Sequence, residues 1–271
     1  MGTNIICIYI YIYMSFQNKY LKYKNKYLDL KNKLDQKGGA QGKTALMFAS
    51  GSGHESLVQS LLKPGASKEY VDIQDEDGNT ALIQASLYGH GSIVDALIFA
   101  GASKEYVNIK DKYFGNTALI WASKEGHGSI VQSLIRAGAS VDSKNVDGYT
   151  ALMFASGSEH ETIVQSLLGA GASLDIQNRY GDTALMKASR NGNGSIVQSL
   201  IQAGASLDIQ DEDGNTALMF ASERGHETIV QSLLGAGASV DIKDVSGNTA
   251  LMMAKLSNHN NIVKLINKWS F

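Results

Sequence analysis

The chain has 271 residues, 44% of them apolar and 18% charged, and a net charge of −2. That balance supplies a core and excludes a polyelectrolyte or a low-complexity chain. The one cysteine, Cys7, excludes an internal disulfide and points to a reducing compartment inside the cell.

Residues 1–14 contain the run IICIYIYIY at 5–13. It is too short to span a bilayer and lacks a basic leading region, so neither a membrane span nor a signal peptide is expected. Its Ile-Tyr alternation is what an AT dinucleotide tract would encode, which leaves Met1 and Met14 both open as the first residue. The stretch therefore reads as a disordered or mistakenly included leader.

Residues 15–37 carry seven lysines against two aspartates, so the remainder of the chain sums to −7. Tyr20, Tyr23, Tyr27, Leu30 and Leu34 alternate spacings of three and four. This spacing predicts a basic amphipathic helix over 15–37. Such a helix can cover the open edge of the neighbouring unit or pack on itself, pair with a second copy, or dock its lysines on phosphate or an acidic membrane.

From residue 38 the chain is periodic. A threonine opening T-A-L recurs at Thr44, Thr80, Thr117, Thr150, Thr183, Thr216 and Thr249, the last four gaps being 33 residues each. A fixed period means one supersecondary unit copied and stacked. In the unit at 147–175, Asp147-Gly148 is a turn and Thr150 can cap a helix over 151–156. A second turn at 157–160 leads to a helix whose Ile163, Val164, Leu167 and Leu168 form one apolar stripe, and Gly171 ends it. Helices this short do not persist alone, so stacking must bury their faces.

These residues resemble the ankyrin repeat family, whose turn glycine, T-P-L-H, G-H, I-V-x-x-L-L and G-A are matched here by D-G-Y-T-A-L-M, E-H, I-V-Q-S-L-L and G-A-S. The resemblance covers about 38–271 and implies an all-α ankyrin solenoid of about seven 33-residue helix-turn-helix units with short hairpin fingers. The seventh unit, polar at Asn258, Asn260, Asn261, Lys264 and Lys268, is expected to cap the array. Alanine replaces the family's proline, and Met or Ile replaces its first histidine, trading a polar contact for packing. The insertions Lys68-Glu69-Tyr70 and Lys104-Glu105-Tyr106, and one further residue within 111–115, are expected to lengthen fingers. The lysine- and tyrosine-rich leader is similar to those of ankyrin proteins encoded by giant DNA viruses of amoebae.

Three motifs suggest chemistry and fail on spacing. In 38–44, GGAQGKT, a phosphate loop needs glycine where Lys37 stands. All six histidines lie ten residues after a threonine, so they are one position copied, not ligands that converge. The acidic turns at 75–78 and 211–214 would place Ile73 or Ile209 at the first calcium ligand position. No catalytic residues, cofactor, metal or small-molecule substrate are expected.

What varies between units points to recognition. Tyr113, Phe114, Tyr149 and Tyr180 follow one another along units three to five, where other units use Asp, Asn or Ser. Aromatics with polar tips are common interface anchors, so these residues, with Arg179 beside Tyr180, Trp121 and Tyr88, are the candidate partner contacts. Trp121 and the phenylalanines in its column can instead pack between units. Lys124-Glu125, Arg190-Asn191 and Glu223-Arg224 supply a mixed-charge rim, which suits a protein better than nucleic acid. The resemblance places these positions on the family's concave face. It implies a monomeric scaffold or adaptor, in a host cytoplasm or nucleus, that binds a host or viral protein; a tether acting through the basic helix is the alternative.

Overall fold

The computed structural model describes residues 43–62, 71–100 and 104–269. The leader 1–14, the basic stretch 15–37, the loop 38–42 and the first KEY insertion at 68–70 lie outside the described residues.

Among the described residues all regular structure is helical. Seven helix pairs succeed one another: α1 Ala45–Gly51 with α2 Glu55–Leu61, α3 Ala81–Leu87 with α4 Gly91–Phe99, α6 Ala118–Lys124 with α7 Gly128–Arg136, and α8 Ala151–Gly157 with α9 Glu161–Gly169. The remaining pairs are α10 Ala184–Asn191 with α11 Gly194–Gln202, α12 Ala217–Arg224 with α13 Glu227–Gly235, and α14 Ala250–Leu256 with α15 Asn260–Asn267. A four-residue helix, α5 Lys104–Val107, stands between the second and third pairs.

Each first helix starts at its threonine because that side chain satisfies a donor the helix leaves open. In all seven units the threonine Oγ1 accepts the N–H three residues on, at 3.2 to 3.4 Å. The methionine replacing the family histidine does pack: Met47, Met153, Met186 and Met219 are at most 2% exposed. It also keeps a polar contact in two units, where the Sδ of Met47 and of Met186 accepts the threonine's own N–H. The expected trade of polarity for packing is thus only partial.

The core is one continuous cluster running through every pair. Leu82, Ile83, Ile93, Val94 and Leu97 are at most 1% exposed, and their equivalents repeat down the array. At about 1.5–3 kcal/mol for each fully buried side chain, burial between neighbours carries helices of seven to nine residues that would be marginal alone.

Two devices set the register between units. Five histidines, each preceding a second helix, bring Nε2 to 3.0–3.3 Å from a carbonyl of the preceding unit: His90 with Gly51, His127 with Leu87, His160 with Lys124, His226 with Arg190 and His259 with Glu223. Each ring lies on a glycine of that unit. A Cβ on Gly89 or Gly126 would come within 2.7 Å of the ring, and both glycines sit at positive φ. The junction of the fourth and fifth units departs on both sides: Glu159, at φ +61°, stands in the glycine position, and Asn193 stands in the histidine position of the next unit. The Nδ2 of Asn193 donates to Ser156 at 2.7 Å.

The second device is a backbone ladder between fingers. Lys112 donates to Asp77, Val146 to Phe114, Arg179 to Asp147, Glu212 to Tyr180 and Val245 to Asp213, all at 2.8–3.0 Å. Gly148 shows why each finger carries a glycine: its φ is +78°, and a Cβ there would meet Asn178 Cα at 2.9 Å.

The second KEY insertion departs from expectation. It does not lengthen a finger; it forms α5, and Tyr106 is 1% exposed within the core. Its hydroxyl accepts the N–H of Leu82 at 3.1 Å, capping a second donor at the start of α3. Three residues past the repeat, the tyrosine reaches back over α4 to α3, so the insertion folds inward.

Candidate functional site

The fingers and the first helices of units three to five gather most of the candidate contacts. In the longer finger at 111–115, Asp111 is 6% exposed, and its Oδ1 accepts the N–H of Phe114 at 2.7 Å and of Gly115 at 3.1 Å. Its Oδ2 accepts Trp121 Nε1–H at 2.9 Å. One buried carboxylate therefore fixes both rings, which meet edge to face at 5.7 Å. At the tip of this finger Tyr113 and Phe114 stand outward, at 71% and 55% exposure.

In the next unit Tyr149 is half-buried and packs on the core. Its backbone N–H donates to Asn145 Oδ1, and its ring stacks on Phe154 at 5.0 Å. Burial, and then Asp182, push its hydroxyl pKa up. In the fifth finger Tyr180 is 45% exposed and its N–H donates to buried Asn178. Arg179 lies over the Tyr180 ring at 4.6 Å, donates to its hydroxyl and pairs with Asp147 of the preceding finger. Tyr88 is exposed but one unit away, beside Gly51.

Cations interleave with these rings. Lys124 Nζ is 4.7 Å from the Trp121 centroid and 6.0 Å from that of Phe154, and Lys187 Nζ is 5.4 Å from Tyr149. Arg190 lies 3.8 Å over Phe220. Asp182, 3% exposed, accepts both Arg190 Nη1 at 3.2 Å and Nη2 at 2.8 Å, with Lys187 at 4.0 Å. Burial pushes the Lys187 pKa down, against the opposing pull of Asp182.

Arg190, read from the sequence as a rim charge, is therefore committed to a partly buried pair. The sequence does not display Asp182, Lys187 and Arg190 as a unit. The available signal was an acid where four sister units carry asparagine, followed five and eight residues later by bases on the same helix face. Trp121 serves both readings: it packs against the core and shares an edge with exposed Phe114.

This arrangement offers shape, aromatic faces and fixed charge for non-covalent contact. The aspartates of the acidic turns spend their oxygens on their own turns: Asp75 and Asp211 accept backbone N–H groups two and four residues on. Among the described residues there is no group of three or more side chains able to hold a metal, and no helix long and apolar enough to cross a membrane.

Stacked helix pairs, threonine caps, glycine turns and fingers linked through their backbones define a helical repeat protein built for binding. The family of ankyrin repeats (three copies) matches residues 17–108, 104–178, 158–244 and 185–268. The chain belongs to the ankyrin repeat family, whose repeats are in general protein-protein interaction modules. No curated protein matches it.

Proposed function

We propose that this chain is a non-enzymatic scaffold or adaptor that holds a protein partner on the concave face of its array, with Tyr113, Phe114, Trp121, Tyr149, Arg179 and Tyr180 as the anchoring surface. One observation carries the reading. Three large rings, Tyr113, Phe114 and Tyr180, are 45 to 71% exposed on fingers whose backbones are fixed by the ladder and by buried Asp111 and Asn178. None of the three rings belongs to the buried core cluster, and rigid aromatics lose little entropy on binding.

Replacing Tyr113, Phe114 and Tyr180 together with alanine is expected to abolish partner capture from the native cell while changing the melting temperature by no more than about 6 °C, since three surface substitutions at about 0.5 kcal/mol each sum to about 1.5 kcal/mol at most. Affinity purification and then mass spectrometry read the capture. Retained capture places the site elsewhere. Deleting residues 1–37 separates this reading from a tether acting through the basic leader, because the scaffold keeps its partner and the tether loses it.

A further inference from the structure

The chemistry of the occupant can be read from the middle of the same face, and this step rests on the concave-face reading above. Tyr149 and Phe154 form a stacked pair, with Lys124 lying toward Phe154 and Lys187 over Tyr149. Two ammonium groups thus flank one aromatic platform. Among the described residues neither has a carboxylate within hydrogen-bond distance. Lys124 is 3.9 Å from Glu125, and Lys187 is 4.0 Å from an Asp182 that Arg190 already holds through two hydrogen bonds. Both keep donors for an incoming acceptor. Lys187 is largely withdrawn from water, its side chain 21% exposed, so an approaching anion meets little competing solvent.

We propose that the segment bound here is an acidic peptide, with an Asp or Glu side chain seated between Lys124 and Lys187 and an apolar neighbour on the Tyr149–Phe154 stack and the Phe114 edge. A basic segment is repelled at this point. A nucleic-acid strand running along the array would meet the acidic finger tips Glu76-Asp77 and Glu212-Asp213 on either side.

The test is a random peptide library displayed on phage and panned against the full-length chain. Recovered peptides should be enriched in Asp and Glu next to aliphatic or aromatic residues. Their affinity should fall at least tenfold on the variant Lys124→Glu with Lys187→Gln, glutamine being used at 187 because a glutamate there would face Asp182. An unchanged melting temperature establishes that this variant folds; if it does not fold, Lys124→Glu alone carries the comparison. Peptides that are lost with Tyr149→Ala or Phe114→Ala but are indifferent to the lysine changes overturn the acidic assignment and leave the concave-face reading standing. Peptides indifferent to all of these changes, or none recovered, overturn both. Lysine-dependent retention of a single-stranded oligodeoxynucleotide, with no acidic peptide recovered, assigns the face to nucleic acid and overturns the proposal.

Discussion

Glu159 and Asn193 are separated by 34 positions, yet each accounts for the other. Elsewhere a histidine ring rests on a glycine with no room for a Cβ; here the Cβ is present, and the shorter amide replaces the ring. Asn193→His alone should press its ring on Glu159 and destabilise the chain by about 1–3 kcal/mol, as overpacking does. Glu159→Gly should relieve a left-handed residue and stabilise by a few tenths to about 1 kcal/mol. The double variant should be more stable than the sum of the two, by about 1 kcal/mol or more in a denaturant-unfolding cycle. Additive effects would show that the two positions do not meet. The sequence displays each position as an exception in its own column, but not that the glycine and histidine columns meet, because that contact, seen at the other junctions, exists only once units stack.

At the scale of an element, α5 shows an insertion recruited into the core. Tyr106→Phe removes the acceptor for Leu82 N–H at the start of α3 and should cost about 1–2 kcal/mol. Burial raises the Tyr106 pKa above the ordinary value of about 10, so its neutral form is favoured in the folded state. Below pH 10 that preference is satisfied in both states. As pH rises past 10 the unfolded chain releases the proton first, and stability falls. Urea unfolding of the wild type should therefore weaken above about pH 10, and Tyr106→Phe should flatten that loss. An equal alkaline loss in the variant would remove Tyr106 as the cause. Helix starts were legible from sequence because Thr44 and its six equivalents act on backbone three residues away. The fate of the insertion was not, because Tyr106 reaches Leu82, 24 positions back. The aromatic tips at Tyr113, Phe114 and Tyr180 were legible as departures from the period, whereas the cations over Tyr149, Phe154 and Phe220 depend on which neighbouring unit each side chain leans toward.

Across the whole molecule, one column changes at the last described unit. Met219 is 2% exposed, whereas Met252, its equivalent in the last described unit, is 45% exposed, and Leu256 beside it is 72% exposed. Met252→Gln should change stability by less than about 0.5 kcal/mol, and Met219→Gln should cost about 2–4 kcal/mol, since only the second buries an amide between units. Thermal unfolding of the two variants makes the comparison, and a similar loss in both would mean that the last unit is covered in solution. The same regularity bears on how such a chain can grow. Wherever a histidine meets a glycine and one finger donates to the last, a duplicated 33-residue block can be spliced in and find its contacts on both sides. A recombination breakpoint between Glu159 and Asn193 is the exception: it parts a matched pair, and the daughter chains inherit either a ring against a side chain or an amide over an empty glycine. The lineage of this array is thus free to lengthen or shorten at its other junctions, while a break at this one leaves each daughter mismatched until one of the two positions changes to suit the other.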